Sequence, residues 1–296
     1  MNKRILFVGC VESSLRLLKT LINARANVVG VITKKSSSLN ADYADLAYVC
    51  KENAIPFHYV NNINEEDSIA FARKYTADIA FCFGWSQLLK EGFISLFSEG
   101  VIGFHPAALP NNKGRHPIIW ALALGLTETA SSFFMIDPLA DHGSIISQRR
   151  IPIAYEDNAG TLYEKIMECA CEQEVEFLSW IEQGTLKQHE IENQNGNSWR
   201  KRGKEDGHID WRMSSYAIYN LVRALFHPYV GAHFTIGESE YKVWKVEEVK
   251  DSSLSNIEPG KVLRTYEDGS FDVKVYDGII RVIDHDTCVV KEGDYL

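Results

Sequence analysis

The sequence has no surplus of positive charge. Its 31 lysines and arginines are outnumbered by 40 aspartates and glutamates, so the net charge is -9 at pH 7. Proteins that bind nucleic acid or an anionic membrane mainly through phosphate groups have the opposite balance. We therefore expect neither kind of partner, although an acidic chain can still form a local cationic pocket for a small anion.

Closely spaced cysteine pairs and long apolar runs are also missing. The six cysteines show no C-x-x-C spacing, which predicts reduced packing residues and neither a disulfide framework nor a zinc site. The apolar run at residues 5–11 stops at Glu12 without a cleavage motif, so it predicts a first strand and no signal peptide. No run reaches the roughly 18 apolar residues of a membrane-spanning helix. We expect a cytoplasmic protein.

The first 80 residues alternate short apolar runs with helical patterns, which predicts an α/β fold with a Rossmann-like open sheet and crossover helices. Residues 9–14 read GCVESS, with one glycine where a dinucleotide-binding fingerprint has three, and this argues against NAD or FAD. The predicted strands are 5–11, 28–33, 56–60 and 79–83, and the predicted helices are 13–25, 43–53 and 65–75.

The pattern changes after a long predicted helix at residues 161–183. Asn-rich residues follow it, and then one helix and several short alternating runs with Asp-Gly turns, which predict a small β-barrel or sheet. We divide the chain into a catalytic domain at 1–190, a linker with a basic cluster at 191–204, and a smaller, mostly β domain with one helix at 205–296. The later predicted elements are a helix from 117, strands 131–136 and 144–153, a helix at 216–225, and strands 241–249, 260–265, 271–276 and 279–283.

His105 is the first candidate for chemistry. It follows the apolar residues of a predicted strand and precedes a proline, where an imidazole is held rigidly at the sheet edge and can titrate near neutral pH. The alternative is a half-buried histidine whose ring bonds a backbone carbonyl.

Asp141 is the second candidate, in a turn that ends at Gly143. Beside an imidazole it would set the tautomer and raise the pKa of the histidine, whereas its alternative role is that of an ordinary turn residue. A metal held by His105, Asp141 and His142 is conceivable, but no H-x-H or H-E-x-x-H spacing supports it, and we expect no metal.

Several segments together resemble the folate-dependent formyltransferases. Residues 105–110 read HPAALP, 113–117 read KGRHP, and 140–143 read ADHG, and the pairing of the first with the last is specific. The likeness extends through nearly the whole chain. Its later segments are similar to sugar-nucleotide N-formyltransferases: WRKR at 199–202, IDW at 209–211, YNLVRA at 219–224 and HPYVGA at 227–232.

This resemblance implies transfer of a formyl group from N10-formyltetrahydrofolate to the amine of a nucleotide-linked sugar. His105 would donate to the tetrahedral oxyanion or move protons, and Asp141 would orient it. A basic cluster at Trp199, Arg200, Lys201 and Arg202 would suit the sugar-nucleotide diphosphate, or would be a solvated basic turn. The folate contacts implied by position are Gln87, Leu88, Leu89, Arg115, Asp137, Pro138, Leu139, Ala140 and Asp141, with Phe83 and Trp85 either lining the pterin pocket or belonging to the core.

The sequence departs from the family at Gly103. The family has an asparagine two residues before the histidine, and here residues 103–105 read GFH. Asn111, Asn112, Ser86, a water or a backbone N–H near Gly103 would have to replace the carboxamide, since glycine permits close approach. Because one oxyanion donor contributes about 2.7–4 kcal/mol, a binding protein without catalysis stays an alternative.

The choice of acceptor depends on charge. Residues 205–296 carry 10 Lys and Arg against 17 Asp and Glu, a poor surface for tRNA, so methionyl-tRNA formyltransferase is the less favoured alternative. Glycinamide ribonucleotide formyltransferase resembles only the first domain. The segment 103–117 is similar to a subgroup that acts on 4-amino-4,6-dideoxy sugars, including a UDP-linked one, for surface glycan biosynthesis. The family likeness also implies a homodimer.

Overall fold

The structure, a computed structural model, describes residues 3–36, 42–137, 143–190, 195–250 and 256–296. The backbone forms two compact units. The first comprises Met1–Gly114, Thr129–Ile151 and Glu164–Trp199, and the second comprises Arg115–Glu128, Pro152–Tyr163 and Arg200–Leu296. No helix in the described part of the chain combines the length and the apolarity needed to cross a bilayer.

The first unit is built on a seven-stranded sheet with the strand order β3-β2-β1-β4-β5-β7-β8. Neighbours among the first five strands pair in parallel, whereas β7 runs antiparallel to β5. The strands are β1 (Arg4–Val8), β2 (Asn27–Thr33), β3 (Phe57–Tyr59), β4 (Ile79–Cys82), β5 (Val101–His105), β7 (Glu128–Met135) and β8 (Ile145–Pro152); a separate two-stranded ladder joins β6 (Lys113–Gly114) to β9 (Ser198–Trp199).

The helices are α1 (Glu12–Asn23), α2 (Ala47–Glu52), α3 (Glu66–Tyr75), α4 (Glu91–Ile94), α5 (Pro117–Ala123), α6 (Ala159–Gln183) and α7 (Ser215–Ala224). Helix α6 buries the apolar positions that its periodicity predicts, among them Ile166, Ala170 and Phe177. The ring of Phe177 packs 4.8 Å from Phe133 and 5.6 Å from Phe81, so α6 covers the strands with an aromatic core.

The parallel strands confirm the Rossmann-like open sheet. Strand order reverses between β1 and β4, and in such sheets ligands bind outside the carboxyl ends of the strands near this reversal. His105 is the last residue of β5, which pairs directly with β4. The fold therefore places this histidine at the carboxyl ends of the parallel strands, where ligands are expected.

The second unit contains a five-stranded antiparallel sheet with the order β10-β11-β14-β13-β12, which confirms the smaller, mostly β part of the chain. The Asp-Gly turn at 268–269 closes a hairpin in which Gly269 has a φ of +89°, a conformation that glycine adopts without strain. Its strands are β10 (Ala232–Ile236), β11 (Ser239–Val249), β12 (Val262–Thr265), β13 (Phe271–Lys274) and β14 (Ile279–His285).

Arg223 organises the helical part of this unit. Its guanidinium is buried and donates from Nη1 to the backbone oxygens of Ala154, Tyr155 and Asp157 at 3.0–3.1 Å, while Nε donates to Asn220 Oδ1 at 2.8 Å. Because those carbonyls lie in the segment before α6, one side chain ties α7 to that segment.

Candidate functional site

The ring of His105 is held at a defined angle. The side chain is 5% exposed, and Nε2 lies 2.9 Å from the backbone oxygen of Asn112. Because a carbonyl oxygen only accepts, Nε2 carries the hydrogen in this bond. The histidine thus has the backbone-carbonyl partner of the alternative interpretation, and it also stands at the carboxyl end of β5, where ligands are expected.

The loop after His105 is fastened to the sheet by uncharged groups. Ser132 Oγ donates to the backbone oxygen of Ala107 at 2.6 Å. Gln148 Nε2 donates both to Ser132 Oγ at 2.9 Å and to the oxygen of Leu109 at 3.0 Å. Neither Ser132 nor Gln148 was singled out in the sequence, because both belong to strands 20 residues or more away from the loop.

Gly103 is packed so that a side chain there would require Phe134 and Ile136 to move. A Cβ built there would lie 2.8 Å from Cζ of Phe134 and 2.9 Å from Cγ1 of Ile136, closer than real Cβ contacts come. The space that the family's asparagine side chain would take is thus filled here by the ring of Phe134 on β7. Of the suggested replacements, Asn112 is half-buried and contacts His105 through its backbone oxygen, not its carboxamide, and Asn111 is exposed.

Asp141 lies outside the described residues, as do Pro138, Leu139, Ala140 and His142. The segment is described on both sides of this gap. Asp137 is half-buried just after β7, and a Cβ at Gly143 would lie 1.5 Å from the backbone oxygen of Met135. The glycine of the ADHG segment is therefore required by close backbone approach.

The residues after β4 take different positions. The carboxamide of Gln87 bridges the backbone of Asn61 and Ile63, at 2.8 and 3.1 Å. Leu89 is buried in the core, whereas Leu88 is 61% exposed. Gln87 thus already has two backbone partners, and Leu88 presents an apolar side chain to solvent.

The two aromatic candidates for the pterin pocket also differ. Phe83 is fully buried among the rings of Phe7 and Phe133, so it belongs to the core. The indole N–H of Trp85 is buried and finds no acceptor among the described residues, while Lys34 Nζ lies 5.0 Å from the ring centroid. A buried donor without a partner is costly, and a ligand with an acceptor atom would satisfy it.

The basic cluster of the second unit is built around Trp120. The guanidinium groups of Arg200 and Arg202 lie 5.3 and 4.6 Å from the centroid of the indole ring, and the indole N–H donates to the backbone oxygen of Arg200 at 3.0 Å. Asp206 forms a two-point ion pair with Arg200 and also accepts from the backbone of Gly203. These bonds hold the pKa of Asp206 well below its ordinary value.

Positive charge remains in excess beside His116. Burial lowers the pKa of this histidine, and the charges of Arg115, Arg202 and Lys201 lower it further. His116 also has a φ of +56°, which is uncommon for a residue with a side chain. The structure therefore brings Arg115 and the predicted Lys201 and Arg202 into one electrostatic environment. Trp199 instead belongs to β9 in the first unit.

Among the residues that the structure describes, no group of three histidine, cysteine, aspartate or glutamate side chains is arranged to hold a metal ion.

Two family models match the chain. The formyl transferase model matches residues 4–178, and the model of the formyl transferase C-terminal domain matches residues 201–287. The chain therefore belongs to the formyl transferase family.

Solved structures with the same fold include several sugar-modifying members. WlaRD, a sugar 3N-formyl transferase determined with dTDP and 5-N-formyl-tetrahydrofolate, is 20% identical; the match covers 98% of this chain and 100% of that one, with a TM-score of 0.70. An N-formyltransferase from Helicobacter canadensis, determined with folinic acid and dTDP-3-aminofucose, is 19% identical. The match covers 96% of this chain and 100% of that chain, also with a TM-score of 0.70. HypX from Aquifex aeolicus, determined with tetrahydrofolic acid, is 16% identical. The match covers 95% of this chain and 44% of that chain, with a TM-score of 0.66.

Proposed function

We propose that this formyltransferase moves the formyl group of N10-formyltetrahydrofolate to the amino group of a nucleotide-linked sugar, in particular a 4-amino-4,6-dideoxy sugar. The acceptor class is supported by the cluster around Trp120. An aromatic face, two guanidinium groups over it and the excess positive charge around His116 suit a nucleoside diphosphate. The solved relatives determined with dTDP or a dTDP-sugar support the same class.

The donor side rests on the segment after β4. The unpartnered indole N–H of Trp85 and the exposed Leu88 fit a flat heteroaromatic ring that has both an acceptor atom and apolar edges. Among the residues predicted from the resemblance, Arg115 and Asp137 are half-buried. The donor is a co-substrate, and it supplies the formyl carbon that the amine attacks.

His105 is the residue for proton movement in this proposal. As the neutral amine attacks, the formyl oxygen gains negative charge and the nitrogen becomes cationic, so a proton must leave the nitrogen before the folate amine departs. The rigid position of His105 at the end of β5 suits this role because proton transfer depends on geometry before it depends on pKa. We propose Asp141 as the group that orients the imidazole.

The packing at Gly103 argues against a side-chain oxyanion donor at position 103. No carboxamide can stand there without displacing Phe134, so a backbone N–H or a water takes the place of the family's asparagine in our proposal. We also propose a catalytic domain at 1–190, a linker at 191–204 and a C-terminal domain at 205–296. We further propose that the protein is a cytoplasmic homodimer that serves glycan biosynthesis.

The test is a formylation assay with N10-formyltetrahydrofolate and a panel of UDP-, dTDP- and GDP-linked amino sugars, beside charged initiator tRNA. We expect a formyl mass gain on at least one sugar nucleotide and none on the tRNA. Formylation of the tRNA alone would overturn the proposal. Tight binding of folate and nucleotide without turnover would favour a binding protein instead.

A further inference from the structure

Residues 195–199 are fitted closely to the loop that follows His105. Strand β9 pairs in parallel with β6, and a Cβ at Gly196 would lie 1.7 Å from the backbone oxygen of Pro110. The side-chain Oδ1 of Asn197 accepts from the N–H of Asn112 at 2.9 Å, and its backbone oxygen accepts from the N–H of Lys113 at 3.1 Å. This part of the proposed linker therefore packs closely on the loop after His105 in the first unit.

Asn197 holds both peptide groups that flank the α-carbon of Asn112. Its side chain binds the N–H of the peptide before that carbon, and its backbone binds the N–H of the peptide after it. The second peptide also carries the carbonyl that accepts from Nε2 of His105. Asn112 has a φ of +62°, a left-handed conformation that asparagine tolerates better than most residues. The direction of the carbonyl thus depends on the bonds from Asn197.

We propose that Asn197 is a positioning residue for His105, which acts through the backbone of Asn112 to fix the imidazole in the tautomer with hydrogen on Nε2. This inference rests on the proposed function for its kinetic consequence, whereas the tautomer itself is a property of the protein without substrate.

The test compares three variants of the full chain. Asn197→Ala removes the side-chain acceptor, Asn197→Asp keeps an oxygen at the same place, and Ser198→Ala is the matched control on the neighbouring residue, whose backbone forms the ladder with β6. Circular dichroism and the melting temperature establish that each variant is folded.

The first measurement is the ¹⁵N spectrum of the histidine rings, with the His105 signal assigned from its loss in His105→Asn. We expect the neutral His105 ring of the wild type, Asn197→Asp and Ser198→Ala to be held in the Nε2–H tautomer. Asn197→Ala should show both tautomers in exchange. A folded Asn197→Ala with the wild-type His105 signal would refute the inference, whether or not any sugar is formylated.

The second measurement is steady-state kinetics on a sugar nucleotide that the formylation assay has identified. We expect Asn197→Ala to lower kcat about 10- to 100-fold with little change in KM, because small displacements of a catalytic group act on the transition state. Asn197→Asp should recover most of this loss. An unchanged kcat in Asn197→Ala would contradict the proposed role, and a failure of all sugars to react would count against the proposed function alone.

Discussion

The loop around His105 and the cluster around Trp120 are held by different forces. Hydroxyl, carboxamide and backbone groups hold the loop, through Ser132, Gln148 and Asn197. Arginines, an aspartate and an aromatic face form the cluster. A group that transfers protons needs a fixed position with little competing charge, whereas recognition of a diphosphate needs positive potential. Under the proposed function, the first unit would supply the chemistry and the second the positive potential for binding.

The same contrast appears in two buried carboxyl groups. Glu174, on α6 in the first unit, is fully buried, and neither of its oxygens has a partner in the described part of the chain, so burial raises its pKa well above the ordinary value. Asp272, in the second unit, accepts from Arg281 Nε at 2.8 Å and from the hydroxyl of Tyr266 at 2.8 Å. One unit buries its carboxyl group without a hydrogen-bond partner among the described residues, and the other pairs its carboxyl group with an arginine.

The largest effect is expected at His105, the residue proposed to move protons. His105→Asn should lower kcat by about 10²- to 10⁴-fold, because general acid–base catalysis contributes that much. Circular dichroism should stay unchanged. A near-normal kcat in the folded variant would remove His105 from the mechanism and break the division between the two units.

The next effect is expected at Arg202. Arg202→Ala removes one of the two guanidinium groups stacked on Trp120 and should raise the KM for the sugar nucleotide about 10- to 100-fold, as expected for loss of a charged hydrogen bond. The matched control is Arg212→Ala, which removes a highly exposed arginine that pairs with Asp210. Equal KM changes in both variants would show a general charge effect and no specific subsite.

The two carboxyl groups should respond in opposite directions to neutralisation. Asp272→Asn leaves Arg281 without its anion and should cost about 2 kcal/mol of unfolding free energy. Glu174→Gln should raise the melting temperature at pH 7 by a few degrees, because the unfolded chain releases the Glu174 proton above about pH 4.3, whereas burial raises the pKa of Glu174 in the folded protein.

The stability cost of Glu174 therefore grows as pH rises through its unfolded pKa and onward to its raised folded pKa. Thermal unfolding of wild type and Glu174→Gln at pH 4 and pH 7 measures it. The gain from Glu174→Gln should be present at pH 7 and nearly vanish at pH 4. A gain of the same size at both values would show that Glu174 is not neutral in the folded protein.

The smallest effect concerns His116. Burial and then the surrounding cations lower its pKa, so a bound diphosphate should raise it by offsetting the charge of those cations. By linkage, the diphosphate should also bind more tightly below this pKa than above it. Histidine NMR titrations with and without UDP measure the shift, and the His105 signal serves as the internal comparison. An unmoved His116 with saturating UDP would place the diphosphate elsewhere.

Much of the fold could be predicted from local patterns. The apolar runs of β1, β2 and β4 and the periodicity of α6 appear at their predicted places within a few residues. Strand β10 was not predicted, because Gly237 and Glu238 form a two-residue connection without the strong Asn-Gly or Asp-Gly signal. His105 could be found because a strand, a proline turn and a titratable side chain coincide in adjacent positions.

The sequence by itself determined the alternation of elements, the acidic balance, the histidine at the end of β5 and the absence of an asparagine at Gly103. Only the tertiary structure decided that Phe134 fills the space beside Gly103, that Asp206 neutralises Arg200, and that Asn197 supports Asn112. Apolar periodicity is a local property that can be read along the chain. A hydrogen bond between residues 85 positions apart depends on where the folded backbone brings them.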